Sequence, residues 1–386
     1  MPENNFMEFD GPRTPFESEW DDATELARSV FFKNSPEYED GARTWPMSLR
    51  EEARENTFVM FHKGRSVSGI ERLERDISVY GHRLRLGYVG SVCTHEDYRK
   101  LGLASTVLSA SMKRFHENNV DFVCISGNRE MYRRAGSRFA GGLTRFTFGK
   151  KQLEVKEEIK CRKAEISDTK ALASLNDHEP LFSIRPISDY ELVIKYGYCV
   201  GRPVEFILIT YYDTPVGYLL ITKLLDSNNR RFRRVMEYAG DRQSIISALS
   251  MISSDLPENA EIEIDVQKND LLGNLFRGLE GKSVSRSGTH CIIDFARTMN
   301  KLKPYFASYI PEDFVNSMQF SAGNERFTAW SGNDYLRIEG QTNLVCTILG
   351  TPPDEELSNA EATGMMKELI ETCFPIPLPP LEMNMI

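Results

Sequence analysis

Two stretches of this chain run through strands and helices in the same order, and that echo limits the architectures open to it. From residue 11 to about 150, DDATELARSVFF reads as an amphipathic helix, and NTFVMFHKGRSVSGIERLERDISVYGHRLRLGYVGSVCTH as strands alternating with polar turns. STVLSASMKRFHENN is helical, with Leu101, Ala104, Leu108, Met112 and Phe115 on one face at three- and four-residue spacing. DFVCISG then reads as a short buried strand, and NREMYRRAG as a short helix ended by Gly136. Between about 151 and 298 the order returns: CRKAEISDTKALASL, the two strands of EFILITYYDTPVGYLLITKLL, the strand RRFRRVMEYAG, the helix DRQSIISALSMISSDL and the strand EIEIDV. A shared order with diverged residues predicts a structural repeat.

Residues 299 to 386 have a different texture. RFTAWSG, DYLRIEG and TNLVCTILG are strand-like, and NAEATGMMKELIETCF is helical. The tail FPIPLPPLEMNMI is too rich in proline for a helix interior or a central strand, and is expected to lie extended over a surface or in a groove. Three segments follow: 1–150, 151–298 and 299–386. A chain of 386 residues is long enough for them.

The net charge of −9 argues against a nucleic-acid binder, which needs a basic face. Acidity suits a cationic substrate such as an amine, and is also ordinary for a cytoplasmic protein. The seven cysteines contain no C-x-x-C pair, and FVCISG and THCIIDF place two of them in apolar runs. Buried, reduced thiols and a reducing compartment are expected, with no metal site. The N-terminal MPENNFMEFDGPR has neither a basic nor an apolar region of the signal-peptide kind, and no apolar run approaches a membrane span. A cytoplasmic protein is the expectation.

The chemistry concentrates in LRLGYVGSVCTHEDYRKLGLASTVL. A strand ends near Val92–Thr94, a loop carries Arg99, Lys100 and Gly102, and a helix begins near Leu103. Unpaired N–H groups and the helix dipole favour an anion at such a junction. Glycine lets a ligand approach the backbone, and the two cations neutralise phosphate charge. R-x-x-G-x-A alone is a weak motif, and a solvated basic turn accounts for it equally well. Three neighbours add weight: the strand before it, FVCIS after the helix, and Tyr132 four residues before Gly136. The second copy has no such loop, because EYAG runs straight into DRQSIISAL.

Together these residues closely resemble the GNAT acetyltransferase superfamily, in which an R/Q-x-x-G-x-G/A loop binds the pyrophosphate of acetyl-coenzyme A. The matching residues are Arg99, Gly102 and Ala104, within a coenzyme loop of Arg99, Lys100, Leu101, Gly102, Leu103, Ala104 and Ser105. The resemblance implies that Val92, Cys93 and Thr94 pair their backbone with the pantetheine arm, and that Tyr132 is the general acid. The order of the whole chain is similar to the enhanced intracellular survival (Eis) family. That likeness implies tandem GNAT-like domains, each a mixed central sheet flanked by helices in an α/β (α+β) fold, the second degenerate. It further implies a small sterol-carrier-protein-like third domain, a hexamer, and the C-terminal carboxylate of Ile386 as general base.

The implied function is direct acetyl transfer from acetyl-coenzyme A to a primary amine, on a cationic small molecule or a lysine side chain. A backbone N–H near Cys93 or Thr94 would hold the oxyanion. The alternative is a coenzyme-binding sensor whose third domain holds an apolar ligand. Plainer readings stand beside each residue: Tyr132 as a helix aromatic, Ile386 as a frayed terminus, Cys93 and Cys124 as core thiols, His95 as a surface histidine. Glu37, Glu39, Asp40 and Trp45 lie where this fold forms its acceptor pocket, and a solvated acidic loop would look the same.

Overall fold

The computed structural model describes residues 8–32, 41–150, 152–153, 158–227, 230–355 and 359–385. The first unit comprises β1 (Asp10–Arg13), α1 (Trp20–Phe31), α2 (Gly41–Thr44), β2 (Thr57–His62), β3 (Arg65–Val79), β4 (His82–Thr94), α3 (Leu103–Glu117), β5 (Phe122–Ile125), α4 (Glu130–Arg134) and β6 (Gly142–Phe148). Its sheet has the order β1-β2-β3-β4-β5 and then the strand Thr289–Ile292. The β4–β5 pair is parallel and the other pairs are antiparallel, so the sheet is mixed. α3 is the crossover between the two parallel strands, as parallel pairing requires. Its buried positions are Leu103, Val107, Leu108, Ser111 and Phe115, a face rotated from the expected one. Leu101 is 47% exposed because it precedes the helix.

The second sheet repeats this plan. Arg230–Gly240 and Ala260–Val266 are parallel, with the helix Arg242–Ser254 between them. Strands are exchanged between the two sheets. β6 pairs with Ala260–Val266 in the second sheet, while Thr289–Ile292 pairs with β5 in the first.

The third unit packs helices against a four-stranded antiparallel sheet. Phe327, Ala329, Leu336 and Ile338 on its inner face share one core with Leu73, Ile77, Leu84, Leu86 and Tyr88 of β3 and β4. The proline-rich tail is part of this interior, with Ile376, Leu378, Leu381 and Met383 all buried. Near its end, Asn384 donates to the Ser183 hydroxyl at 3.0 Å and to the Tyr88 hydroxyl at 3.3 Å. Arg185 donates back to Asn384 at 3.1 Å and forks onto Glu237 of the second sheet. The tail therefore ties β4 to both sheets. No helix among the described residues is long and apolar enough to cross a membrane.

Candidate active site

The site begins where β4 and β5 part. Leu86 to Val89 lie opposite Phe122 to Ile125, and Ser126 donates to the Val89 carbonyl at 2.9 Å. Beyond that point β4 runs on to Thr94 with no strand on its β5 side among the described residues. Its backbone groups on that edge are free for an extended ligand. On the other side, the ladder with β3 skips from Glu71–Gly90 to Gly69–Cys93, so Ser91 and Val92 together oppose Ile70. Ser91 takes φ +48° within this bulge. A bulge bends its strand and re-aims the groups around it. The Val92 and Cys93 side chains are committed to packing, Val92 with α3 residues and Cys93 with Leu26, Ala27 and Leu49. Thr94 shares a 2.8 Å hydrogen bond with Ser68.

The loop from β4 to α3 is pinned at its base and open at its tip. The Tyr98 hydroxyl lies 2.8 Å from His62 Nδ1, with Phe9 against both rings. Arg99, Lys100, Leu101 and Gly102 are exposed, and neither cation has a carboxylate partner among the described residues. Lys100 at φ +67° and Gly102 at φ +81° turn the chain into the helix. Gly102 caps α3 without any side-chain hydrogen bond. The first helical bond is donated by Thr106 to the Gly102 carbonyl, which leaves the N–H groups of Leu103, Ala104 and Ser105 unpaired in the helix. The equivalent helix of the second unit is closed. Asp241 caps it by accepting from the Ser244 N–H at 2.7 Å, and Arg242 is held by Glu179 and Asp270. A carboxylate already occupies the position an anion would take.

Tyr132 comes from α4, which Gly136 at φ +85° terminates as expected. The ring lies against the end of β5, where a Cβ on Gly127 would be 3.1 Å from Cε2. Its hydroxyl has no hydrogen-bond partner among the described residues. Burial holds the phenol above its ordinary value, with Arg129 pulling the other way, so the proton is present at neutral pH. Cys93 is pushed up to about 12 by burial, as is Cys124, so neither is a thiolate at neutral pH. All seven cysteines are free. His95 accepts from the Asp97 N–H at 3.4 Å, a loop role. Among the described residues, no group of three His, Cys, Asp or Glu is arranged to hold a metal.

Glu37, Glu39, Asp40 and Ile386 lie outside the described residues. Trp45 is described, and packs beside Cys93 and Phe32. A cavity of about 1520 Å³ lies between the three units and is lined by neither the 99–105 loop nor Tyr132. One carboxyl the sequence did not single out, Glu71, lies opposite Gly90 beside the bulge and is 4% exposed.

Residues 12–140 match the acetyltransferase (GNAT) domain family model. The chain carries a GNAT acetyltransferase domain. The matched stretch contains the parted strands, the open loop and Tyr132, and makes the protein an enzyme of the acyltransferase class. No curated protein matches the chain in sequence. Solved structures match its fold along most of their length. A GCN5-related N-acetyltransferase from Kribbella flavida is 14% identical with a TM-score of 0.59, over 96% of this chain and 98% of that one. A GCN5-related N-acetyltransferase from Anabaena variabilis is 12% identical with a TM-score of 0.59, over 92% and 85%. Eis1 from Mycobacterium abscessus is 14% identical with a TM-score of 0.54, over 86% and 84%. The fold therefore occurs in other chains that share little sequence with this one.

Proposed function

We propose that the protein transfers an acetyl group from acetyl-coenzyme A directly to a primary amine, on a cationic small molecule or a lysine side chain. One observation carries the reading: the open helix start at Gly102, the unpaired edge of β4 and the protonated Tyr132 converge on one split in the sheet. The pyrophosphate would lie against the N–H groups of Leu103 to Ser105 with Arg99 and Lys100 beside it. The pantetheine arm would run along Val92 to Thr94. The amine gives up a proton, its nitrogen bonds to the thioester carbonyl carbon, and a backbone N–H near Cys93 or Thr94 holds the oxyanion. As the C–S bond breaks, Tyr132 gives its proton to the sulfur.

The resemblance to the Eis family gives the amine's proton to the terminal carboxylate of Ile386. The described part of the tail is buried and brings Asn384 to the Tyr88 hydroxyl of β4. The same resemblance suggests a cytoplasmic hexamer with a sterol-carrier-like third domain. The alternative, a sensor that binds coenzyme without turnover, leaves the uncapped helix start explained but gives Tyr132 no task. The test is thiol release from acetyl-coenzyme A by untagged protein, across aminoglycosides, polyamines and lysine peptides. Release with one class supports the transfer and names the acceptor. Coenzyme binding with no release from any amine would favour the sensor.

A further inference from the structure

Glu71 is a buried carboxyl group with no cation paired to it among the described residues. It sits on β3 opposite Gly90, and the adjacent Ser91 and Val92 form the bulge that borders the split. It is 4% exposed, yet no arginine or lysine among the described residues pairs with it; the cations that neighbour it in sequence, Arg72 and Arg75, pair with Glu74 and Asp189. A buried, unpaired carboxyl is costly and calls for a reason. Its Oε2 has no hydrogen-bond partner among the described residues. Neither do two other buried polar atoms nearby: Thr57 Oγ1 on the residue paired with Glu71 across β2 and β3, and Trp45 Nε1. Trp45 and Cys93 belong to one small cluster with α1, on the side of the sheet away from α3. Buried polar atoms left unsatisfied in this way are partners that water or a ligand amine would find.

The Cys93 thiol lies within electrostatic reach of both Glu71 and Arg129, and Tyr132 within reach of Arg129. Glu71 and Tyr132 thus flank the stretch of β4 along which the thioester would lie.

We propose that Glu71 is the group that takes the proton from the attacking amine, directly or through one water, and so is the general base of the transfer. This rests on the acyl-transfer reading and assigns to Glu71 the role that the family resemblance gives to Ile386. The balance is simple. An ammonium gives one proton to Glu71 and its nitrogen bonds to the carbonyl carbon. The C–S bond breaks as Tyr132 protonates the sulfur. The nitrogen's second proton returns to Tyr132 through water. Glu71 then releases its proton to solvent, so one amide, one thiol and one proton are formed.

The groups that face Glu71 are neutral: the Thr57 hydroxyl from β2, the Ser91 hydroxyl and the Cys93 thiol from β4, and the Ser48 hydroxyl from the segment after α2. Burial pushes the carboxyl up to about 7, against the two serine hydroxyls that favour its charged form. A base near 7 is matched to neutral operation.

The experiment is the pH profile of thiol release with the best amine, for wild type, Glu71→Gln and Ser91→Ala. Glu71→Gln is expected to lose about 100-fold or more in kcat, with little change in acetyl-coenzyme A affinity. Its profile should lose the rise through pH about 7 that wild type shows. Ser91→Ala removes a hydroxyl that lowers the carboxyl, so its rise should move to higher pH while activity persists. That second variant keeps the test alive should Glu71→Gln fail to fold. A Glu71→Gln enzyme within about threefold of wild type and with an unchanged profile would overturn Glu71 alone, as would an unmoved profile in Ser91→Ala. Wild type silent with every amine would overturn the acyl-transfer reading and this assignment together.

Discussion

At the scale of single residues, the site is built from groups left without partners. Gly102 caps a helix and offers no side chain, and at φ +81° a Cβ added to it would meet only open space. Gly102→Ala therefore meets no clash and costs only the strain of the left-handed backbone, about 1 kcal/mol of stability. Acetyl-coenzyme A affinity should fall several-fold, which calorimetric titration would read. Arg99→Ala should also weaken coenzyme binding, and more so at low salt, since exposed charges are screened. Glu71 makes a prediction about stability as well as rate. Its folded carboxyl titrates at about 7, above the ordinary value of about 4.3 for an unfolded chain. Between those values the folded state holds the extra proton, so stability falls as pH rises through that window. Glu71→Gln removes the penalty. The variant should melt above wild type at pH 8 and level with it at pH 4; equal melting points at pH 8 would show that the carboxyl is not held neutral by burial.

Elements decide which of two similar junctions can bind. Both sheets present a strand, a turn and a helix between parallel partners, yet one helix start is open and the other is filled by Asp241. Asp241→Ala should cost about 1 kcal/mol as a lost cap, read by thermal melting, and should leave coenzyme binding at the first site unchanged. The tail is a second element with a definite job. Leu381 is fully buried in the core shared by the first and third units. Leu381→Ala should destabilise by about 2–5 kcal/mol. A short tag placed after Ile386 tests something else: full activity in tagged protein would remove the terminus from proton transfer, while a loss would leave it in place beside Glu71. Much of this level was legible in the sequence, because periodicity and turn chemistry are local. The strand–loop–helix at 92–105, the short helix ending at Gly136 and the missing loop in the second copy all follow from neighbouring residues. The helix face was misjudged by including Leu101, since the left-handed turn at Lys100 and Gly102 delays the helix to Leu103.

The whole molecule shows what local patterns do not encode. Glu71 and Glu74 look alike in GIERLERD. Only their places in the ladder separate them: Glu74, opposite Gly87, reaches Arg85 in an ion pair, while Glu71 lies opposite Gly90 beside the bulge. The exchange of β6 and Thr289–Ile292 between sheets joins residues more than a hundred positions apart, beyond the reach of any periodicity. Asn384 likewise meets Tyr88 only through the packing of all three units. These long contacts hold the split sheet, the open helix start and Tyr132 in one arrangement, and the central claim is that this arrangement transfers an acyl group with Tyr132 as its acid. The most direct test places wild type and Tyr132→Phe side by side, measuring acetyl-coenzyme A binding and amine-dependent thiol release on the same untagged preparations. The account predicts equal binding and a fall in release of about 100-fold or more in the variant. Equal release from the two proteins would contradict it.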